Sequence, residues 1–157
     1  KNEEIHIDDE IAQEKRKQFY SQFLNANDTV FDVGANYGNR VIPFLNLGCK
    51  DIAEFGKPRF INIDVEGYEL EVIKGLSTSI PYISIEYNVP ENTDKSIGCI
   101  EHLYNIENNC KFNYSVGESM QLELKDWLLK DEFITLINTD SFVKTSFGDI
   151  YIKMNNE

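Results

Sequence analysis

Asp32-Val33-Gly34-Ala35-Asn36-Tyr37-Gly38-Asn39-Arg40 follows the apolar run Thr29-Val30-Phe31 and leads into Val41-Ile42-Pro43-Phe44-Leu45-Asn46-Leu47. The succession reads as strand, glycine turn and helix. In doubly wound α/β proteins a ligand sits at the carboxyl end of such a first strand. Gly34 and Gly38 allow a sharp turn and a close approach of backbone to that ligand.

Outward from this point the chain keeps alternating. A helix is expected over residues 8–24, with Ile11, Phe19 and Phe23 near one face. Strands are expected at 29–33, 60–64, 82–87, 111–116 and 148–154. Helices are expected at about 38–47, 66–75 and 92–109, the last with Ile97, Ile100, Leu103 and Tyr104 inward. Residues 127–137 read as helical or irregular. Strands interleaved with helices point to an α/β fold with a mostly parallel sheet, in a single domain over 1–157.

The middle is short for such a sheet. Asp32 to Asp64 spans 32 positions, whereas one βαβ unit takes roughly 30 residues and three in series roughly 90. Gly48-Cys49-Lys50 reads as the lead-in to a strand and Asp51-Ile52-Ala53-Glu54 as the tail of a helix or loop. A segment missing between Lys50 and Asp51 is the expectation, and a true minimal sheet is the alternative. An intact mass of 18.2 kDa would rule the interruption out.

Bulk properties narrow the functions. With 157 residues, 41% hydrophobic and 27% charged, the chain is long enough for one domain with a core. A formal net charge of −12 argues against a nucleic-acid backbone or an anionic membrane as partner. No apolar run reaches membrane-spanning length. Cys49, Cys99 and Cys110 are odd in number and form no CxxC pair, so disulfides are not expected to organise the fold. No signal-peptide pattern stands at the start, and a reducing cytoplasm is the expected setting. His6 and His102 stand in no catalytic spacing, and a zinc site is not expected.

Several residues suggest chemistry. Asp32, at the strand end, repels a pyrophosphate but suits a cation or hydroxyl and amino donors. This favours S-adenosylmethionine over a nicotinamide dinucleotide, whose G-x-G-x-x-G spacing is also absent. The plain alternative for Asp32 is a cap on the following turn, and for Asn36 a left-handed turn residue. Asp64 ends the second visible strand. Glu86 stands in the apolar run Tyr82-Ile83-Ser84-Ile85, where a carboxylate is partly buried and needs a partner. Asp64 and Glu86 end neighbouring strands and suit a general base on a substrate hydroxyl. With Asn88 as third oxygen they equally suit Mg²⁺ or another hard cation. The acidic stretch 66–71 reads as a solvated helix face, and Trp127 and Phe133 as core.

The combination of Asp32-Val-Gly-Ala-Asn-Tyr-Gly38 with Ile63-Asp64-Val65-Glu66-Gly67-Tyr68-Glu69-Leu70-Glu71-Val72-Ile73-Lys74-Gly75 resembles the FkbM family of methyltransferases. Ser84-Ile85-Glu86-Tyr87 and Gly148-Asp149-Ile150-Tyr151 are also similar to that family. The resemblance implies a class I methyltransferase (Rossmann-like) sheet of seven strands flanked by helices, with the last strand antiparallel. It implies S-adenosyl-L-methionine as cofactor and O-methylation of a hydroxyl on a sugar or polyketide-like small molecule. Asp32, Gly34, Ala35, Asn36 and Gly38 would hold the cofactor, and Asp64 and Glu86 would face a small-molecule or glycan acceptor. The acidic residue with which the family ends its second strand has no counterpart here. The alternative is a non-catalytic carbohydrate-binding or assembly module on a decayed methyltransferase fold.

Overall fold

The computed structural model describes residues 10–34 and 58–154. The expected helix at 38–47, the Lys50–Asp51 junction, and Ala35, Asn36, Gly38, Cys49 and His6 lie outside them. Along the described chain come α1 (Glu10–Tyr20), β1 (Val30–Val33), β2 (Phe60–Ile63), α2 (Glu69–Lys74), β3 (Tyr82–Asn88) and α3 (Thr93–Ile106). Then follow β4 (Lys111–Val116), α4 (Lys130–Ile137), α5 (Asp140–Val143) and β5 (Phe147–Lys153).

The described strands form one sheet in the order β1-β2-β3-β5-β4. β1 to β3 pair in parallel, and β5 enters antiparallel between β3 and β4. The sheet is thus mostly parallel with its last strand reversed.

Strand alternation sorts the side chains into two layers. On one face Ile61, Ile63, Ile83, Ile85, Ile150 and Ile152 meet Ile73 of α2, Ile100 and Leu103 of α3 and Phe133 of α4, all buried. On the other face Val30, Phe60 and Tyr151 receive Phe19, Tyr20, Phe23 and Leu24, from α1 and the turn behind it. Phe23 stacks on Tyr151 with ring planes 5° apart. Arg16 of α1 reaches Glu118 beyond β4 at 3.0 Å. Helices therefore cover both faces, as a parallel sheet requires. The carboxyl ends of β1, β2 and β3 are left together at one edge.

α1 ends four residues short of the expected 8–24 helix, because Phe23 and Leu24 fold back under the sheet. α2 also starts late. Glu66 (φ 54) and Gly67 (φ 92) are left-handed, which an α-helix does not admit.

Candidate functional site

The site begins with a polar row inside an apolar sheet. Register places Asp32 opposite Asn62, and Asn62 opposite Ser84. Asn62 Nδ2 donates to Asp32 Oδ1 at 2.7 Å, and Ser84 Oγ donates to Asn62 Oδ1 at 2.6 Å. Asn62 and Ser84 are fully buried. Polar groups so placed must bond one another, and here the result is a carboxylate fixed in direction at the end of β1. Sequence reasoning singled out Asp32 but missed Asn62 and Ser84. Their signal was a lone polar residue at the same phase of two apolar runs, Phe60-Ile-Asn-Ile and Tyr82-Ile-Ser-Ile.

Gly34 follows with φ +92, and a Cβ there would lie 1.7 Å from the carbonyl oxygen of Asp64. Asp64 N donates to Val33 O at 2.9 Å. The turn leaving β1 is pressed against the end of β2, so the near neighbour that demands a glycine is the backbone of Asp64.

The turn after β2 is built around Glu69. Its Oε1 accepts from the backbone N–H of Val65 and of Gly67, both at 3.1 Å, and the residue is 5% exposed. Lys95 of α3 donates to Gly67 O at 2.8 Å from the other side. The stretch 66–71 is therefore not a uniformly solvated face. Glu69 turns inward because two backbone donors that leave the strand need an acceptor.

Glu86 shares a face with Ser84 one step further along β3. It is half-buried, and its Oε2 has no hydrogen-bond partner among the described residues. Burial raises its pKa from 4.5 to about 7, helped by the charges of Asp64, Glu66, Glu69 and Asp149. Asp149 lies directly across from Glu86 on β5, is 3% exposed, and accepts from Tyr151 Oη at 3.3 Å. Asp64 and Glu86 thus come to one edge on adjacent strands. Asn88 ends β3 on the same face, its carbonyl accepting from Asn92 N at 2.8 Å. Among the described residues no group of three or more His, Cys, Asp and Glu side chains is placed to hold a metal ion.

The remaining expectations fall away from this edge. His102 Nε2 contacts Leu76 O at 3.0 Å on the helical layer. Phe133 is buried in the core, and Trp127 packs against the α1 cluster. Cys99 and Cys110 are free and buried, and burial pushes their thiols up to about 12 and about 11, away from reactivity. No helix among the described residues is long and apolar enough to cross a membrane.

Neither a curated protein nor a solved structure matches the chain. The methyltransferase FkbM domain matches residues 40–121, just over half of its length. The matched span carries Asn62, Asp64, Glu69, Ser84 and Glu86, and starts behind the Asp32–Gly38 motif. The chain belongs to the FkbM methyltransferase family.

Proposed function

We propose that this protein is an S-adenosylmethionine-dependent O-methyltransferase acting on a hydroxyl of a small molecule or glycan. The observation that carries the reading is Glu86, a half-buried carboxylate whose Oε2 has no hydrogen-bond partner among the described residues and whose pKa is raised to about 7. It stands where a parallel sheet offers its ligand edge. A general base works best when its pKa lies near the working pH.

The residues present suit the cofactor's chemistry. Asp32 is held in direction by Asn62, and the edge around it carries Asp64, Glu66 and Glu86. Such an edge favours a cationic molecule with amino and hydroxyl donors. S-adenosylmethionine, when bound, supplies a methyl group carried on a sulfonium and open to in-line displacement. Asp32 and Gly34, with Ala35, Asn36 and Gly38 of the same motif, would take its amino and ribose end. A carboxylate pressed on the sulfur would oppose the reaction, because the positive charge there is lost in the transition state. Asp64 orients the acceptor. Glu86 would take the proton of the acceptor hydroxyl as that oxygen is methylated. The sheet's part is to hold these groups in line.

The test is calorimetric titration with S-adenosylhomocysteine, followed by a screen for methyl acceptors. Asp32→Ala is expected to weaken cofactor affinity about ten-fold or more, as loss of a charged hydrogen bond does. Glu86→Gln is expected to keep affinity and lose turnover about 100-fold, the scale of a removed general base. Equal loss of affinity in both variants would overturn this division of roles. Folded protein that binds no S-adenosylhomocysteine would shift the reading to a non-catalytic module. Loss of turnover in EDTA would reassign Asp64, Glu86 and Asn88 to a divalent cation.

A further inference from the structure

One aromatic ring at the acceptor edge has no part in the proton chemistry. Phe147 opens β5 directly opposite Asn88, and Asp149 of the same strand lies opposite Glu86. Alternation puts Phe147 on the face that bears Asn88, Glu86 and Ser84. Glu86 is therefore its diagonal neighbour, about 7–8 Å away along the sheet and within reach of an aromatic side chain.

Phe147 is 46% exposed as a residue, whereas Phe60, Phe112 and Phe133 are all at 0%. It is nevertheless not loose. Gly117, with φ +50, follows β4 beside it, and a Cβ on Gly117 would stand 3.5 Å from the ring's Cζ. Gly117 N donates to Phe147 O at 2.8 Å and fixes the backbone there. One side of the phenyl is thus backed by main chain while the rest faces solvent. Exposing that apolar area is unfavourable unless something covers it.

A backed aromatic face next to oxygen acceptors has a definite chemical complement. It suits a ring with an apolar C–H face and hydroxyls around its rim. Charge narrows the class further. Asp64, Glu66, Glu69 and Asp149 all act on Glu86, and like charges at this range repel a carboxylated or phosphorylated acceptor.

We propose that Phe147 is a specificity-determining residue of the acceptor subsite, stacking on the apolar face of an uncharged cyclic polyol and so presenting a rim hydroxyl to Glu86. This rests on the methyltransferase reading above. The experiment uses the whole chain saturated with S-adenosylhomocysteine, with saturation-transfer NMR and calorimetry against neutral methyl pyranosides and their glucuronic acid counterpart. At least one neutral pyranoside is expected to bind. Phe147→Ala should weaken it about ten-fold, the scale of a lost aromatic stacking contact. Phe147→Tyr should bind within about two-fold of the parent, since it keeps the ring. The glucuronide should not bind, and S-adenosylhomocysteine affinity should be the same in all three proteins.

Unchanged pyranoside binding by Phe147→Ala overturns the proposal. So does a glucuronide that binds as well as its neutral counterpart, or a saturated protein that binds no neutral pyranoside. Failure of the parent protein to bind S-adenosylhomocysteine is a separate result and strikes the methyltransferase reading itself.

Discussion

Glu86→Gln is expected to stabilise the protein at alkaline pH while it removes the carboxylate proposed above as the base. Burial and four neighbouring carboxylates carry Glu86 from 4.5 to about 7 in the folded state. Unfolded, the same group titrates near its ordinary value. Between those two pH values the native protein holds a proton that the unfolded chain has given up, so stability falls as pH rises. Below about 4.5 both states are protonated and no penalty exists; above about 7 the penalty is complete. Taken at face value the difference is about 3 kcal/mol. Glu86 is only half-buried, and solvent screening reduces this to about 1–2 kcal/mol. Glutamine keeps the shape and carries no charge. The variant should therefore exceed the parent by about 1–2 kcal/mol at pH 8 and match it near pH 4.5. Urea unfolding of both proteins at pH 4.5, 6 and 8, with m-values compared, measures the difference directly. A stability difference that stays flat across that range would refute the reasoning, because only a titrating group produces the slope.

Two further substitutions probe the frame that holds the site. Gly34→Ala places a Cβ 1.7 Å from Asp64 O at a φ of +92. The strain and overlap together should lower stability by about 2–4 kcal/mol. Thermal unfolding checks the first effect and S-adenosylhomocysteine titration a parallel loss of affinity, and an alanine variant with unchanged Tm would contradict the packing described. Glu69→Ala strands the backbone donors of Val65 and Gly67, which should cost about 2–4 kcal/mol in urea unfolding. Glu69→Gln retains an acceptor oxygen and should recover more than half of that loss; equal loss in both variants would show that charge, not hydrogen bonding, holds the turn.

Strands and most helices were legible because local rules produce them. The expected strand at 111–116 is β4 to the residue, and 82–87 falls one residue short of β3. The expected strand at 148–154 is displaced by one from β5. Period-two apolar runs bounded by glycine and proline carry that information in any fold. Helix starts were less legible. The run rich in acids predicts one helix from Glu66, whereas the left-handed pair Glu66–Gly67 delays α2 to Glu69. Composition favours helix there, and the two backbone N–H groups that Glu69 must satisfy decide otherwise.

From sequence alone came the alternation of elements, the carboxylates Asp32, Asp64 and Glu86 near the carboxyl ends of their strands, and the family to which their motifs belong. Each follows from neighbours a few residues apart. Which of these groups touch was settled only by the folded sheet. Asp32 meets Asn62 across a separation of 30 residues, and Asn62 meets Ser84 across 22. Gly34 is required by the carbonyl of Asp64, and Glu86 faces Asp149 on a strand that runs the other way. Strand order and register arise from packing the whole core at once, since sliding one strand by a residue would reverse every side chain on it. The chemistry of the site resides in those registers.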